Sequence, residues 1–123
     1  MPYAYDDQNI FAKILRGEIP NDTVLETEHS LAFNDIQPQA PVHVLVIPRG
    51  PYVCYDHFAQ QASDAEILDF TRAIGEVCRI KGVADDGFRL ISNAGEAGVQ
   101  EVPHLHVHIL AGRPLGRMLQ KPG

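Results

Sequence analysis

The chain has 123 residues, of which 45% are hydrophobic and 21% are charged, values typical of a globular protein and not of a disordered one. Ten Lys and Arg residues against sixteen Asp and Glu give a net charge of −6, which argues against a broad basic surface for nucleic acid or acidic lipid, although one pocket can still hold a small anion. At this length we expect one domain over residues 1–123, with residues 1–8 as an N-terminal extension and 113–123 as a C-terminal tail.

No segment has the pattern of a membrane anchor or of a secretory signal. The longest apolar run, residues 42–48, contains a histidine and is far shorter than the ~20 residues of a membrane-spanning helix. The N-terminus lacks a basic region followed by an apolar one. Cys54 and Cys78 lie far apart without a CxxC pair, which is typical of reduced thiols, although the spacing leaves a disulfide open. We therefore expect a cytoplasmic protein that binds neither membrane nor nucleic acid.

The first half of the chain predicts one short helix and three strands. A short helix is predicted at residues 9–16, where apolar residues occur at positions i, i+1, i+4 and i+5. Asn9 can cap its N-terminus, and the glycine and proline that follow would end it. Two short strands are predicted at 23–26 and 30–34. After a turn with two prolines, residues 42–47 are almost wholly apolar or β-branched, and they are predicted as a buried strand closed by a proline.

A long helix is predicted over residues 64–81. Ser63 and Glu66 have the spacing of a capping box, and Gly82 is placed to end the helix. Apolar residues recur at steps of three and four and form one stripe: Ile67, Phe70, Ile74, Val77 and Cys78. Gly75 weakens this helix by about 1 kcal/mol relative to alanine. Close packing against another helix and simple tolerance explain this glycine equally well.

Two further strands complete the predicted elements. One covers residues 88–93, a glycine-bearing loop follows at 94–99, and the last strand runs from about residue 102 to 110. Strands outnumber helices and do not alternate regularly with them. This organisation predicts the α+β class, with a mainly antiparallel sheet of about five strands and two helices.

The last predicted strand carries three histidines at alternating positions, His104, His106 and His108. Because successive side chains of a strand point to opposite faces, all three would lie on one face, about 6–7 Å apart along the chain. The opposite face would consist of apolar residues: Leu105, Val107 and Ile109. The same alternation therefore predicts both a strand that contacts the core and a face that carries chemistry.

Three uses of this histidine row compete. The first is a solvated strand face without a function. The second is zinc binding, since two imidazoles on one side of a strand are suitable ligands, although Glu101 is the only acidic residue close by. The third is nucleophilic catalysis at a phosphorus or acyl centre, for which imidazole is suited because it can be neutral at physiological pH. Crowding of the three rings also disfavours their simultaneous protonation.

The segment around the row, QEVPHLHVHILAGRP at residues 100–114, resembles the motif of the histidine triad (HIT) superfamily, and more closely its Hint branch of nucleoside phosphoramidate hydrolases. The segments IFAKILRGEIP, LAFNDIQPQAPVHVLVIP and GFRLISN occur in the order of that family. The resemblance implies the HIT fold, a homodimer whose antiparallel sheet continues from one subunit to the other, and a pocket for a purine nucleoside monophosphate in each subunit. It implies no metal and no cofactor.

The resemblance also implies roles for individual residues. His106 would attack the α-phosphorus and carry the nucleotide transiently, and His108 would contact the phosphate and help to protonate the leaving amine. His43 would support this network and His104 would mainly orient it. Polar nucleotide-binding residues would be Asp35 for the ribose hydroxyls, Asn93 near the phosphate, and Gln100. The apolar walls around the base would be formed by Ile10, Phe11, Ile14, Ile19, Phe33 and Leu45.

Several of these residues have a structural alternative. His43 lies in a hydrophobic strand and could be a hydrogen-bonded core histidine. Asp35 could form an Asx turn before the prolines, and Asn93 could only begin the glycine loop. Ile14 and Leu45 are equally well explained as ordinary core residues.

The chain also departs from the family's pattern. Val99 stands where relatives usually have glycine, and a β-branched residue resists a positive φ, so the geometry of the phosphate loop is in question. Glu101 stands where many eukaryotic relatives have serine. Pro103 replaces a common aromatic residue and removes one backbone donor. His29 and His57 match no family site and are predicted as loop or surface residues.

Together these observations predict a hydrolase that cleaves the P–N bond of purine nucleoside 5′-phosphoramidates, with aminoacyl-adenylates as a further substrate class, through a nucleotidyl-histidine intermediate. Three alternatives stay open at this point. They are a nucleotide-binding regulatory module with little turnover, a zinc-binding protein that uses the histidine row, and a dinucleoside polyphosphate hydrolase.

Overall fold

A computed structural model of the chain describes residues 3–122. It contains three helices, α1 (Ile10–Leu15), α2 (Tyr55–Gln61) and α3 (Asp64–Ile80), and five strands, β1 (Thr23–Glu26), β2 (Ser30–Asn34), β3 (Val42–Pro48), β4 (Arg89–Ile91) and β5 (Val107–Ala111). The strands form one sheet in the order β1-β2-β3-β5-β4, and every neighbouring pair is antiparallel. The predicted α+β class and five-stranded antiparallel sheet are confirmed. Within the described residues, no helix is both long and apolar enough to cross a membrane.

The sheet has two faces of different character, which we call the helix face and the cavity face. The helix face packs against α3 and is formed by apolar residues of the central strands: Ala32, Val44, Val46, Val107, Ile109 and Ala111. The cavity face packs in part against α1, through contacts of Leu31, Phe33, Leu45 and Ile47 with Phe11 and Ile14. Because side chains alternate along a strand, His43 and His108 also point to the cavity face.

Helix α3 begins where the sequence predicts, with both hydrogen bonds of the capping box between Ser63 and Glu66 present. Most of the predicted stripe packs inward, but Ile67 is exposed. Gly75 is also not explained by packing inside the chain, since an added Cβ would meet only the end of the Arg79 side chain at 3.6 Å. The glycine therefore leaves open space on the outer side of α3.

Helix α2 has no counterpart among the predicted elements, so the expectation of two helices is wrong. Its sequence, YDHFAQQ, has no apolar periodicity, only Phe58 is buried, and the N-cap residue Cys54 makes no side-chain capping bond. The helix is therefore stabilised by tertiary contacts and not by a local signal. His57, predicted for a loop or the surface, lies half-buried in this helix, whereas His29 lies outside the helices and strands.

The last two strands are shorter than the sequence predicts. Strand β5 begins at Val107 and not near Val102, because Pro103 has no N–H and the chain turns there, with the His104 N–H donating to the Val102 carbonyl. Beyond that turn the alternation holds, since Leu105 already packs in the core of the helix face. Strand β4 covers only residues 89–91 of the predicted 88–93.

Candidate active site

A cavity of about 410 Å³ opens on the cavity face, a volume in the range of small-molecule sites. Its apolar walls contain all six residues predicted to surround a base: Ile10, Phe11, Ile14, Ile19, Phe33 and Leu45. Polar residues predicted from the family resemblance line another part of it: Asp35, Asn93, His106 and His108. The fold therefore brings these residues from α1, three strands and three loops to one opening.

Helix α1 supplies one wall of the cavity, and its N-terminus is fixed by Asn9. The Asn9 side chain accepts the Ala12 N–H at 2.9 Å and donates to the Asp6 carbonyl at 2.7 Å, as predicted for an N-cap. The Phe11 ring then meets Phe33 edge-on at 5.7 Å between centroids and His106 at 5.0 Å. An apolar ring thus covers one side of the His106 imidazole.

The hydrogen bonds of His106 determine which ring nitrogen is free. Nδ1 lies 2.7 Å from the His104 carbonyl oxygen, which can only accept, so Nδ1 carries the proton. In the neutral ring the lone pair is then on Nε2. No hydrogen bond to Nε2 occurs among the described residues, and the ring lines the cavity while only 6% of the residue is exposed. His106 therefore presents an uncharged nucleophilic nitrogen beside the polar end of the cavity.

His43 and His108 form a pair whose tautomers follow from a backbone contact. The Gln39 N–H donates to Nδ1 of His43 at 3.0 Å, so the proton of neutral His43 is on Nε2. That Nε2–H lies 2.9 Å from Nδ1 of His108 and donates to it. Neutral His108 therefore carries its proton on Nε2, on the side away from His43. The backbone N–H of Gln39 thus determines, through His43, that Nε2 of His108 is a hydrogen-bond donor.

Burial keeps these imidazoles neutral at physiological pH. The pKa of His108 is lowered to about 4, chiefly by burial and also by the neighbouring His106 and His43, while Asp35 opposes the shift. Burial also lowers the pKa of His104 to about 4. The pKa of His106 is lowered by burial, and its hydrogen bond to the His104 carbonyl opposes this shift. The pKa of His43 is lowered by burial as well, against the attraction of Asp35.

Asp35 both forms an Asx turn and lines the cavity, the two possibilities that the sequence offers. One carboxylate oxygen accepts the Gln37 N–H at 2.8 Å and so forms an Asx turn. The other oxygen lies 3.5 Å from Nε2 of His43, and the side chain lines the cavity. Both interactions hold the carboxylate at the edge of the opening.

Three predicted site residues, His43, His104 and Gln100, do not line the cavity. The side chain of His104 is completely buried, with Nε2 bonded to the Pro48 carbonyl at 2.9 Å. The Gln100 amide is turned away from the opening, because its nitrogen donates to the Val53 and Val102 carbonyls and its oxygen accepts the Gly95 N–H. Direct nucleotide contact was expected of Gln100, and in this structure its hydrogen bonds instead tie the loop before the histidines to the segment before α2.

The loop at residues 94–99 contains a residue with a positive φ, at the position where the sequence has valine in place of the family's usual glycine. Val99 has φ +55°, and among the described residues it is the only non-glycine with a positive φ. At Gly98 an added Cβ would come within 2.4 Å of the Ala94 carbonyl oxygen. The chain therefore follows a tight path here with valine in a left-handed conformation that this residue type disfavours. The Val99 side chain is 71% exposed and lines the cavity rim.

Sequence reasoning missed further residues of the cavity. They are Pro20, Asn21, Asp22, Asn34, Ile36, Gln39, Ile91, Val99, Glu101, Val102 and Leu110. Leu110 could have been found, since it lies two positions after His108 on the same face of the strand. The loop residues have no periodic signal, and only the tertiary fold brings them to the opening.

The sequence left open a zinc site at the histidines, and the hydrogen bonds of these residues show whether they could bind a metal. Possible ligand atoms of Asp35, His43 and His108 all lie within 4.8 Å of one another. A metal on Nε2 of His43 would require the proton on Nδ1, but Nδ1 faces the N–H of Gln39, which is itself a donor. His104 has both ring nitrogens engaged with Tyr5 and Pro48. The hydrogen bonds therefore do not fit a zinc site in either arrangement.

The fold and the cavity together define an α+β protein with an imidazole-lined site on one face of an antiparallel sheet. Residues 16–115 match the HIT domain family, and the chain belongs to this family. It is 59% identical over 121 residues to an uncharacterized 13.2 kDa HIT-like protein of Azospirillum brasilense, with 98% of this chain and 99% of that protein covered. These matches confirm the resemblance found in the sequence.

Two further comparisons concern an enzyme and a crystal structure. The chain is 42% identical over 117 residues to the purine nucleoside phosphoramidase of Escherichia coli K12, covering 95% of this chain and 98% of that one. Among solved structures, a histidine triad protein from Clostridium difficile superposes with a TM-score of 0.78 at 42% identity, covering 89% of this chain and 95% of the other. Both sequence and fold therefore match along nearly the whole chain.

Proposed function

We propose that the protein hydrolyses the P–N bond of purine nucleoside 5′-phosphoramidates, with aminoacyl-adenylates as a further substrate class, in the cytoplasm. The observation that supports this most strongly is the His106 ring, whose Nδ1–H is held by the His104 carbonyl while Nε2 is left free at the cavity. The similarity to the Escherichia coli purine nucleoside phosphoramidase supports the same substrate class. Covalent catalysis through His106 divides one difficult displacement into two easier ones.

In the first step the Nε2 lone pair of His106 forms a bond to the α-phosphorus, and the P–N bond breaks. The electron pair of that bond goes to the leaving nitrogen, which takes up one proton and departs as the amine. His108 is placed to pass on this proton, because its Nε2–H lies on the side away from His43, and the proton that leaves Nε2 is replaced there from solvent. The positive charge that develops on His106 strengthens the Nδ1–H hydrogen bond to the His104 carbonyl.

In the second step water attacks the phosphorus and releases the nucleoside monophosphate. The bond between phosphorus and Nε2 of His106 breaks with its electron pair returning to nitrogen, and the water gives back the proton taken up before. Asn93 lines the cavity, and no hydrogen bond of its amide occurs within residues 3–122, so it can donate to a phosphoryl oxygen. His108 and Asn93 thus offer donors to the leaving nitrogen and to a phosphoryl oxygen, and solvent supplies the proton and the attacking water.

The rest of the cavity is suited to the nucleoside. The apolar walls from α1 and the sheet offer an aromatic surface, Phe11 and Phe33, to a planar base. The Asp35 carboxylate at the edge of the opening can accept from two ribose hydroxyls. His43 acts through His108 and does not line the cavity, so we assign it a positioning role.

The test is hydrolysis of adenosine 5′-phosphoramidate with and without EDTA, in the wild type and in His106→Ala. We expect AMP release that is unaffected by EDTA and that falls by about 10⁴-fold or more in the variant. Tight AMP binding without release would instead indicate a regulatory module, and loss of activity with EDTA would indicate zinc. A higher rate on a dinucleoside polyphosphate would indicate the other class of hydrolase.

We also propose a homodimer, as expected from the resemblance. Strand β4 is an edge strand; its Leu90 is 47% exposed, and Phe88, just before the strand, is 43% exposed. Together with α3 they border an apolar groove lined by Tyr55, Phe70, Ile74, Gly75, Cys78 and Val107. Pairing of two such edges would bury this groove and continue the sheet. Light scattering should give twice the chain mass for the wild type and the single mass for Leu90→Glu.

A further inference from the structure

The N-terminal stretch that the sequence predicts as an extension reaches the histidine row. Tyr5 is half-buried, its hydroxyl lies 2.6 Å from Nδ1 of His104, and the two rings meet edge-on at 5.5 Å between centroids. Burial raises the pKa of Tyr5, so its hydroxyl stays protonated and available as a donor. Tyr5 therefore contacts a buried residue of the row and not the cavity itself.

The direction of each hydrogen bond around His104 follows from its partners. The Pro48 carbonyl only accepts, so Nε2 of His104 carries the proton at 2.9 Å from it. Nδ1 is then the acceptor, and the Tyr5 hydroxyl donates to it. Both nitrogens of a completely buried ring are thereby satisfied.

The backbone of the same residue holds the proposed nucleophile. The His104 carbonyl accepts the Nδ1–H of His106 at 2.7 Å, and this contact determines where the free Nε2 points. A displacement of the His104 ring that carries its Cα along would move this carbonyl, because the ring and the carbonyl belong to one residue. A shift of about 0.5 Å at a reacting atom is enough to slow a reaction.

We propose that Tyr5 is a positioning residue for the reaction, acting through His104 to hold the His106 imidazole in its attacking orientation. This inference rests on the proposed function, since it assigns the effect of Tyr5 to the nucleophile of that reaction. Tyr5 does not contact substrate. Its hydroxyl keeps His104 neutral and oriented, and the His104 carbonyl then supports the charge that develops on His106 during attack.

Ionisable groups act on each member of this network. His104 is influenced by His106, and His106 is influenced in turn by Asp35 and Glu101. Tyr5 is influenced by Arg16, Asp7 and Asp6. The Tyr5 hydroxyl bonds to the unprotonated nitrogen of His104 and so favours the neutral ring. Its removal should raise the pKa of His104 and place a positive charge beside His106 at a higher pH than in the wild type.

The experiment compares Tyr5→Phe with Tyr3→Phe on adenosine 5′-phosphoramidate. Tyr3 is a matched control, because its hydroxyl bonds to Asp56 and its ring stacks on His57, away from the histidine row. In Tyr5→Phe we expect kcat to fall by about 10-fold with KM unchanged, as for other residues that orient a reacting group. The acid limb of the kcat profile should also move to higher pH. Tyr3→Phe should change neither quantity by more than about two-fold.

A measurement without turnover keeps the inference testable if Tyr5→Phe folds poorly. Nitrogen-15 NMR of the wild-type histidines should show His104 neutral, protonated on Nε2, with Nδ1 as a hydrogen-bonded acceptor. A proton on Nδ1, or a Tyr5→Phe variant whose kcat and acid limb match those of Tyr3→Phe, would overturn the role of Tyr5. If His106→Ala retains turnover, the proposed function fails instead, whatever Tyr5→Phe does.

Discussion

The two faces of the sheet use the same strands for opposite purposes. On the helix face, Val44 and Ile109 are completely buried against α3 in an apolar core. On the cavity face, the residues next to them in sequence, His43 and His108, are hydrogen-bonded to each other at 2.9 Å beside an open pocket. Two residues that are adjacent in one strand therefore have different roles: one stabilises the fold and the other lines or supports the site.

The chemistry on the cavity face depends on a sheet that is held in place by packing on the opposite side. The imidazoles on the cavity face are kept neutral by burial, while apolar residues on the other side of the same sheet share one core with residues of α3. Substitutions on the two faces should therefore have separable effects. Those on the cavity face should lower the rate, and those on the helix face should lower stability.

The largest effect on the cavity face, after loss of the nucleophile, is expected for His108→Gln. It removes the proposed proton donor to the leaving group, which typically costs about 10²–10⁴-fold in rate. The loss should be much smaller for the p-nitrophenyl ester of AMP, since that leaving group departs without a proton. Steady-state kinetics on both substrates measures the difference. Equal losses on the two substrates would contradict a proton-donor role.

On the helix face, Ile109→Ala should destabilise the protein without changing the chemistry. Ile109 is completely buried, and a large-to-small change there costs about 2–5 kcal/mol of unfolding free energy. Urea denaturation measures the loss, and kcat per folded molecule should stay within two-fold of the wild type. If Ile109→Ala lowered kcat as strongly as His108→Gln, the two faces would not have separate effects on rate and stability.

The pH dependence of stability provides a third comparison. In the folded protein the pKa values of His104 and His108 are about 4, below the ~6.5 of an unfolded chain. The unfolded chain thus binds more protons below pH 6.5, so the free energy of unfolding should decrease as pH falls from about 6.5 toward 4. Urea denaturation between pH 7 and 5 tests this above the range of most carboxylates. His108→Gln should show a shallower slope, and an unchanged slope would contradict the assignment.

The smallest effect concerns the loop above the cavity face. Val99→Gly removes a β-branched side chain from a residue with a positive φ and so relieves backbone strain. Glycine also makes the unfolded chain more flexible, which costs less than the strain that is relieved. The free energy of unfolding should therefore rise by about 1 kcal/mol. The matched change Gly98→Ala should destabilise, because its Cβ would lie 2.4 Å from the Ala94 carbonyl oxygen. Thermal unfolding of both variants decides the point. A less stable Val99→Gly would show that the valine is not strained.

The sequence predicts the two-faced strand well because its signal is local. Alternation of His106 and His108 with apolar residues indicates both faces at once, and the structure places Val107 and Ile109 in the core of the helix face. The capping box of α3 and the N-cap of α1 are equally local and are present. Patterns with a period of two or three to four residues were therefore sufficient for the sheet and two helices, whereas the cavity residues that were predicted came from the family resemblance.

What the sequence did not predict depends on contacts between distant segments. Helix α2 lacks a periodic pattern, and the early end of the histidine strand follows from one turn at Pro103. The donor to His43 is the backbone N–H of Gln39, which no side-chain pattern can indicate. Tyr5 reaches His104 over 99 positions in the chain, and Gln100 turns toward the segment before α2. Such hydrogen bonds become visible only in three dimensions.

Catalysis through His106 is tested most directly by identifying the residue that carries the nucleotide. A reaction with adenosine 5′-phosphoramidate is quenched within one turnover at alkaline pH, which preserves a phosphorus–imidazole bond, and the digested protein is analysed by mass spectrometry. We predict a single AMP adduct on the peptide that contains His106, located on that residue by fragmentation, and absent in His106→Ala. An adduct on His104, His108 or any other residue, or full turnover by His106→Ala, would contradict the account.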